Sequence, residues 1–157
     1  MTSFTTLQTS LIARRGYRVV DAETLDKLAP ELPLSMLFFA GDGARVAESD
    51  DGAVILAELD DALDNVVSVL VIDRASERLL QRHYRFNAFP ALVFLKEGGY
   101  IGCIERVLDW ADYLREIPDI LARTAHEPPP FRLPGALPAM RSATPTAPNG
   151  TVGEITL

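Results

Sequence analysis

The stretch that most restricts this chain is Phe89-Pro90-Ala91-Leu92-Val93-Phe94-Leu95, followed by Lys96-Glu97-Gly98-Gly99-Tyr100-Ile101. Ala91 to Leu95 is an unbroken apolar run rich in strand formers and bounded by Pro90 and a glycine pair, the pattern of a strand buried on both faces. Gly98-Gly99 can hold positive φ without steric cost, so Tyr100 to Glu105 is expected to return as an antiparallel partner. Pro90 lacks an N–H, and proline is tolerated at the first residue of a strand. An X-Pro bond in a tight strand-entry loop is also where a cis peptide is retained. The stretch therefore predicts a hairpin entered through a proline whose peptide bond can be cis.

The rest of the chain alternates two periods. Phe4, Leu7, Leu11 and Ile12 recur at helical spacing before Gly16, predicting a helix over Ser3 to Arg15. Arg18-Val19-Val20 reads as a short strand, and Asp21 as the cap of a helix over Ala22 to Ala29 that Pro30 and Pro33 end. Leu34 to Ala40 and Val66 to Ile72 are apolar runs of strand length. Between them Ile55, Leu56, Leu59 and Leu63 mark one face of a helix. Ser76 to Tyr84 predicts a short helix with Leu79, Leu80 and Tyr84 inward and Arg74, Arg78, Arg82 and Arg85 outward. Asp109 is expected to cap a last helix, Trp110 to Arg123, with Trp110, Tyr113, Leu114, Ile117, Ile120 and Leu121 as its buried stripe. The order α-β-α-β-α-β-α-β-β-α predicts an α/β fold with a mixed central sheet covered by helices on both faces.

Residues 1–125 are expected to form one domain. Seven of the eleven prolines follow His126, so residues 126–157 read as a proline-rich extended or disordered tail. A chain of 157 residues is long enough to bury a core without staples, and its single cysteine, Cys103, excludes a disulfide or a cysteine zinc cage. His83 and His126 lie in different contexts and make no ligand cluster, so neither a metal nor another cofactor is expected. No apolar run approaches the roughly 20 residues that span a bilayer, and the N-terminus lacks a secretory pattern. A cytoplasmic protein without stable membrane insertion is expected.

Catalytic residues are not apparent. Ser49 has no histidine near it in sequence, and Asp60 and Asp61 are neighbours that diverge by about 100° on a helix. Gly41 and Gly43 are not followed by the lysine or serine of a phosphate loop, and the acidic surroundings repel phosphate and nucleic acid. Charge is the informative feature. Asp42, Glu48, Asp50, Asp51, Glu58, Asp60, Asp61 and Asp64 face one base, Arg45, so residues 42 to 64 carry the whole chain's net charge of -7.

The apolar residue, proline, buried strand, charged glycine turn and second strand resemble the cis-proline hairpin of thioredoxin-fold proteins. The resemblance places the thioredoxin cysteine pair within Gly41 to Gly52, where there is no sulfur, and the buried strand carboxylate of redox thioredoxins at Leu37. Thiol exchange needs a thiolate and a resolving thiol, so dithiol chemistry is excluded. Cys103, between Gly102 and Ile104 in a sheet strand, reads as a small buried hydrophobe, with a lone reactive thiol as the alternative.

More narrowly, the chain resembles the hydrogenase expression and maturation proteins of the HyaE/HupG/HoxO type, thioredoxin-like and without the cysteine pair. The residues that carry this are Gly16-Tyr17, Glu48-Ser49-Asp50, Ile55-Leu56-Ala57-Glu58-Leu59, Arg85 to Phe94 and Asp109-Trp110-Ala111. The resemblance implies a non-enzymatic cytoplasmic chaperone in [NiFe] uptake hydrogenase maturation. Its expected partner is the twin-arginine signal peptide on the precursor of the hydrogenase small subunit, bound before export, together with other hydrogenase maturation proteins. The site residues expected on that basis are Glu48, Asp50, Asp51, Glu58 and Asp61 for the arginines and Phe89 and Pro90 for strand-to-strand docking. A thiol-dependent role for Cys103 and a generic scaffold subunit of a maturation complex are the alternatives.

Overall fold

Local signals set the ends of the first elements. The computed structural model describes residues 4–41 and 49–130. Helix α1 (Thr6–Arg15) opens on a capping box, the Thr5 hydroxyl accepting the Gln8 N–H at 3.1 Å and the Gln8 side chain accepting the Thr5 N–H at 3.0 Å. Two N–H groups that a helix start leaves unpaired are thereby satisfied. Gly16 closes the helix at φ 70°. Strand β1 (Arg18–Val20) leads into α2 (Ala22–Leu28), whose cap, Asp21, accepts the Thr24 N–H at 2.8 Å. A 3-10 turn over Ala29–Glu31 follows. Then come β2 (Leu34–Phe39), α3 (Ser49–Leu63), β3 (Ser68–Ile72), α4 (Glu77–Tyr84), β4 (Ala91–Lys96), β5 (Gly99–Glu105) and α5 (Trp110–Leu121). The element order is the one expected from periodicity.

The five strands form one mixed sheet in the order β1-β3-β2-β4-β5. Strand β3 runs parallel to β1 and β2, whereas β4 is antiparallel to β2 and β5, with Leu37 of β2 facing Leu70 on one side and Val93 on the other. Side chains alternate across the sheet. Met36, Phe38, Leu92 and Phe94 join a core under α1, α3 and α5, while Leu37, Phe39, Val93 and Leu95 join one under α2 and α4. Burial on both faces is why β2 and β4 read as unbroken apolar runs.

Several expectations are corrected. Lys96 pairs with Gly99, so the turn residues are Glu97 and Gly98, at φ 49° and 86°, one residue earlier than the glycine pair suggests. Gly99 begins β5, where a Cβ would come within 2.5 Å of that of Ala125. Leu79, Trp110 and Leu114 are exposed rather than buried, because α4 and α5 rest on the sheet through Leu80 and Tyr84, and through Tyr113, Ile117 and Ile120. Arg74 is buried, not outward. Asp109 stands before α5 without a side-chain capping bond; its carbonyl accepts the Tyr113 N–H instead.

The domain's contacts continue past residue 125. The His126 N–H donates to the Tyr100 carbonyl at 2.9 Å, its ring packs edge-on to Tyr100, and the Arg85 guanidinium donates to the Pro128 carbonyl at 2.9 Å. The remainder of the tail, including Phe131 and Leu133, lies outside the described residues.

Phe39 is fully buried and meets Phe86 and Tyr84 edge-on at 4.8 and 6.5 Å between ring centroids. Phe39→Ala is expected to cost about 3–5 kcal/mol in denaturant-induced unfolding, the range for an aromatic cavity that cannot collapse.

Candidate functional site

The start of β4 and the ends of the elements beside it make the site. The chain leaves α4 through Arg85, at φ 62°, and the Gln81 side chain donates to the Phe86 carbonyl at 3.1 Å. The Asn87 N–H donates to the Glu105 carboxylate at 3.0 Å, which ties this loop to β5. The Phe89–Pro90 peptide bond is cis. The Pro90 carbonyl accepts the Arg106 N–H at 2.7 Å. The Phe89 N–H and C=O have no hydrogen-bond partner among the described residues, so both are available to an incoming strand.

Two glycines close on this loop. Gly41, at φ 78°, lies against Phe89, where an added Cβ would sit 2.5 Å from that of Phe89. Gly52, in the first turns of α3, lies against Pro90, where a Cβ would come within 2.8 Å of the ring. Any larger residue would push α3 away from the proline. Beside Pro90 is a small apolar pocket of about 10 Å³, lined by Gly52, Ile55, Leu92, Ile104 and Tyr113, with Arg106 at its side.

The acidic residues divide by helix face. Asp51 and Glu58 are exposed, seven residues and two turns apart on the outward side of α3, and make no ion pair among the described residues. Asp50, Asp60 and Asp61 turn toward α1. The Thr5 hydroxyl donates to Asp50 at 2.6 Å, and the Arg15 guanidinium meets Asp61 at 2.6 Å and Asp60 at 3.3 Å. The Tyr17 hydroxyl also reaches Asp60, at 3.1 Å. Asp60 and Asp61 thus converge on one cation, although adjacent positions diverge on a helix, because the Arg15 fork spans both. Arg15 holds the Asp61 carboxyl below the usual aspartate range. The stabilisation from that pair is complete above the ordinary aspartate pKa and is lost as pH falls through the depressed value. Glu48 lies outside the described residues.

Two side chains that pattern reasoning passed over complete the site. Glu77 is buried, accepts the Gly41 N–H at 3.2 Å and pairs with Arg74 at 2.9 Å; the Arg78 guanidinium lies 5.8 Å from the centre of the Phe89 ring. The Arg74/Glu77 spacing of three on a helical turn was the available signal. The two histidines, expected in different contexts, line one cleft of about 520 Å³ with Tyr100 and Glu127. That cleft lies by the hairpin turn, at the opposite end of β4 from Pro90. No group of three or more metal-ligating side chains occurs among the described residues.

The family described as Hydrogenase-1 expression protein HyaE matches residues 7–113, more than half of the chain. The chain belongs to this family. It is 44% identical over 131 residues to the hydrogenase expression/formation protein HoxO of Azotobacter vinelandii, covering 83% of this chain and 85% of that one. It is 33% identical over 105 residues to the hydrogenase expression/formation protein HupG of Rhodobacter capsulatus, covering 67% and 76%. The thioredoxin of Plasmodium falciparum superposes at TM-score 0.54 and 13% identity over 65% of this chain and 96% of that one, a likeness of fold alone. The fold of this HyaE-family chain is thioredoxin-like, and the position of the cysteine pair carries none, Cys103 being the single cysteine.

Cys103 is partly buried in β5, opposite Val93. Burial, and then the nearby Glu105 charge, push its thiol well above the usual range. Modification by a disulfide reagent at pH 8 is therefore expected to be much slower in the folded protein than after unfolding. Native reactivity equal to that of an unfolded thiol would return the lone-thiol role to consideration.

Proposed function

We propose that this protein is a redox-inactive, non-enzymatic chaperone of [NiFe] uptake hydrogenase maturation, acting in the cytoplasm on the twin-arginine signal peptide of the hydrogenase small subunit before export. The observation that carries the reading is the unpaired Phe89 backbone beside the Pro90 pocket, flanked by the outward acids of α3. The names of the relatives supply the hydrogenase context; the site supplies the mode. A peptide with paired arginines and an apolar stretch fits an unpaired backbone segment at the entry of β4, a small apolar pocket and a helix face with unpaired carboxylates.

The parts of the site contribute differently. An extended segment would pair with the Phe89 N–H and C=O and rest an apolar residue against the half-buried Ile55 beside Pro90, and those contacts hold it. Asp51 and Glu58 steer and orient the arginines, since exposed ion pairs contribute only about 0–1 kcal/mol each. Asp50 and Asp61 are already engaged by Thr5 and Arg15, so they act mainly through the field of the patch. No helix among the described residues is long and apolar enough to cross a membrane.

Calorimetric titration with a synthetic hydrogenase small-subunit signal peptide, at low and high salt, tests the reading. Micromolar binding that weakens with salt is expected, and Asp51→Ala/Glu58→Ala is expected to weaken it by about two- to tenfold. Absence of binding would contradict the proposal. Equal binding of the hydrogenase subunit with and without its signal peptide would favour a scaffold that meets a folded partner.

A further inference from the structure

A buried ion pair that the proposed docking does not use is linked through Gly41 to the Phe89 loop. Arg74 and Glu77 are 5% and 4% exposed, on the turn that leads into α4, and meet at 2.9 Å. A buried pair of this kind is weak support for stability, since apolar residues of similar volume often replace one without loss. What this pair does have is a third partner. One Glu77 oxygen takes Arg74 and the other takes the Gly41 N–H at the end of β2. Burial pushes the Glu77 carboxyl upward, while Arg74 and the Gly41 N–H pull against that.

Gly41 in turn abuts Phe89, and the next residue of the same turn, Arg78, places its guanidinium 5.8 Å from the centre of the Phe89 ring. Phe86 also meets the Phe89 ring edge-on, at 5.4 Å between centroids. One helical turn therefore grips both chains that meet at the site, β2 through Glu77 and the Pro90 loop through Arg78.

We infer that Arg74, Glu77 and Arg78 are positioning residues, a clasp that sets where the free Phe89 backbone groups stand relative to Gly41 and so determines the affinity of the docking segment. The inference rests on the peptide-docking reading and adds the part that preorganises it. A side chain on Gly41 or a loosened Phe89 ring would move the strand-pairing groups away from the line that an incoming strand must follow.

Three variants of the full chain test it: Glu77→Gln, Arg78→Ala and Arg78→Lys. The amide of Glu77→Gln offers one acceptor where two are used, so the Gly41 N–H or Arg74 loses its bond. Amide hydrogen exchange of Gly41 and Phe89 is measured by NMR in the free protein. Affinity for a synthetic twin-arginine signal peptide is measured by calorimetry, and folding by thermal unfolding. Glu77→Gln is expected to speed Gly41 exchange and weaken the peptide by about tenfold. Arg78 is exposed, so its variants are expected to keep the thermal midpoint of the unmodified protein. Arg78→Ala should weaken the peptide several-fold, and Arg78→Lys, which keeps a cation over the ring, should restore most of it. If Glu77→Gln does not fold, the Arg78 pair decides. Unmodified exchange at Gly41 and Phe89, or wild-type affinity in Arg78→Ala, would overturn the inference. If the unmodified protein takes up no peptide, the docking reading falls; exchange then still decides whether the clasp positions the two chains.

Discussion

The close approach of two glycines to the Phe89–Pro90 segment is the contact on which the site depends. Gly41 ends β2 and Gly52 opens α3, and neither position has room for a Cβ. Because β2 pairs with β4 from Leu34↔Lys96 to Phe39↔Ala91, the end of β2 arrives beside the start of β4 by register alone. The glycines then let α3 come down onto the proline. A thioredoxin uses this junction to present sulfur. Here the same junction carries no cysteine and presents the Phe89 backbone groups and a small apolar pocket, the features on which the proposed peptide docking rests.

The acids of α3 fall into two sets, and three-dimensional structure separates them. Asp50, Asp60 and Asp61 secure α3 to α1 through Thr5, Arg15 and Tyr17. Asp51, near the positive end of the helix dipole, and Glu58, one further stretch along, are left facing solvent. In sequence the eight acids look like one patch because the cation that engages two of them, Arg15, is 45 residues upstream of Asp60. A residue can belong to a charge run and still be spent on packing.

The sheet and its helices were readable because burial on both faces imposes unbroken apolar runs on β2 and β4, and because capping residues such as Thr5, Asp21 and Gly16 act locally. Local signals also placed Pro90 at the entry of β4. The hairpin turn was misplaced by one residue because two consecutive glycines both permit positive φ, and only the contact of Gly99 with Ala125 decides which of them is in the strand. Leu79, Trp110 and Leu114 have inward-looking chemistry but stand on helix faces that the sheet does not reach. Arg74 and Glu77 were invisible for the opposite reason: charged residues on a basic helical segment read as solvated, and the backbone arriving at the end of β2, where Gly41 donates to Glu77, is distant in sequence.

The central claim is that an extended peptide pairs with the backbone at Phe89. The most direct test is residue-resolved amide hydrogen exchange on the protein alone and with the hydrogenase small-subunit signal peptide. New protection is expected at Phe89 and across the first turns of α3, with none at the β1 edge or in the cleft between His83 and Pro128. Protection confined to that cleft, or to the exposed face of α5 at Trp110 and Leu114, would contradict docking at the proline loop.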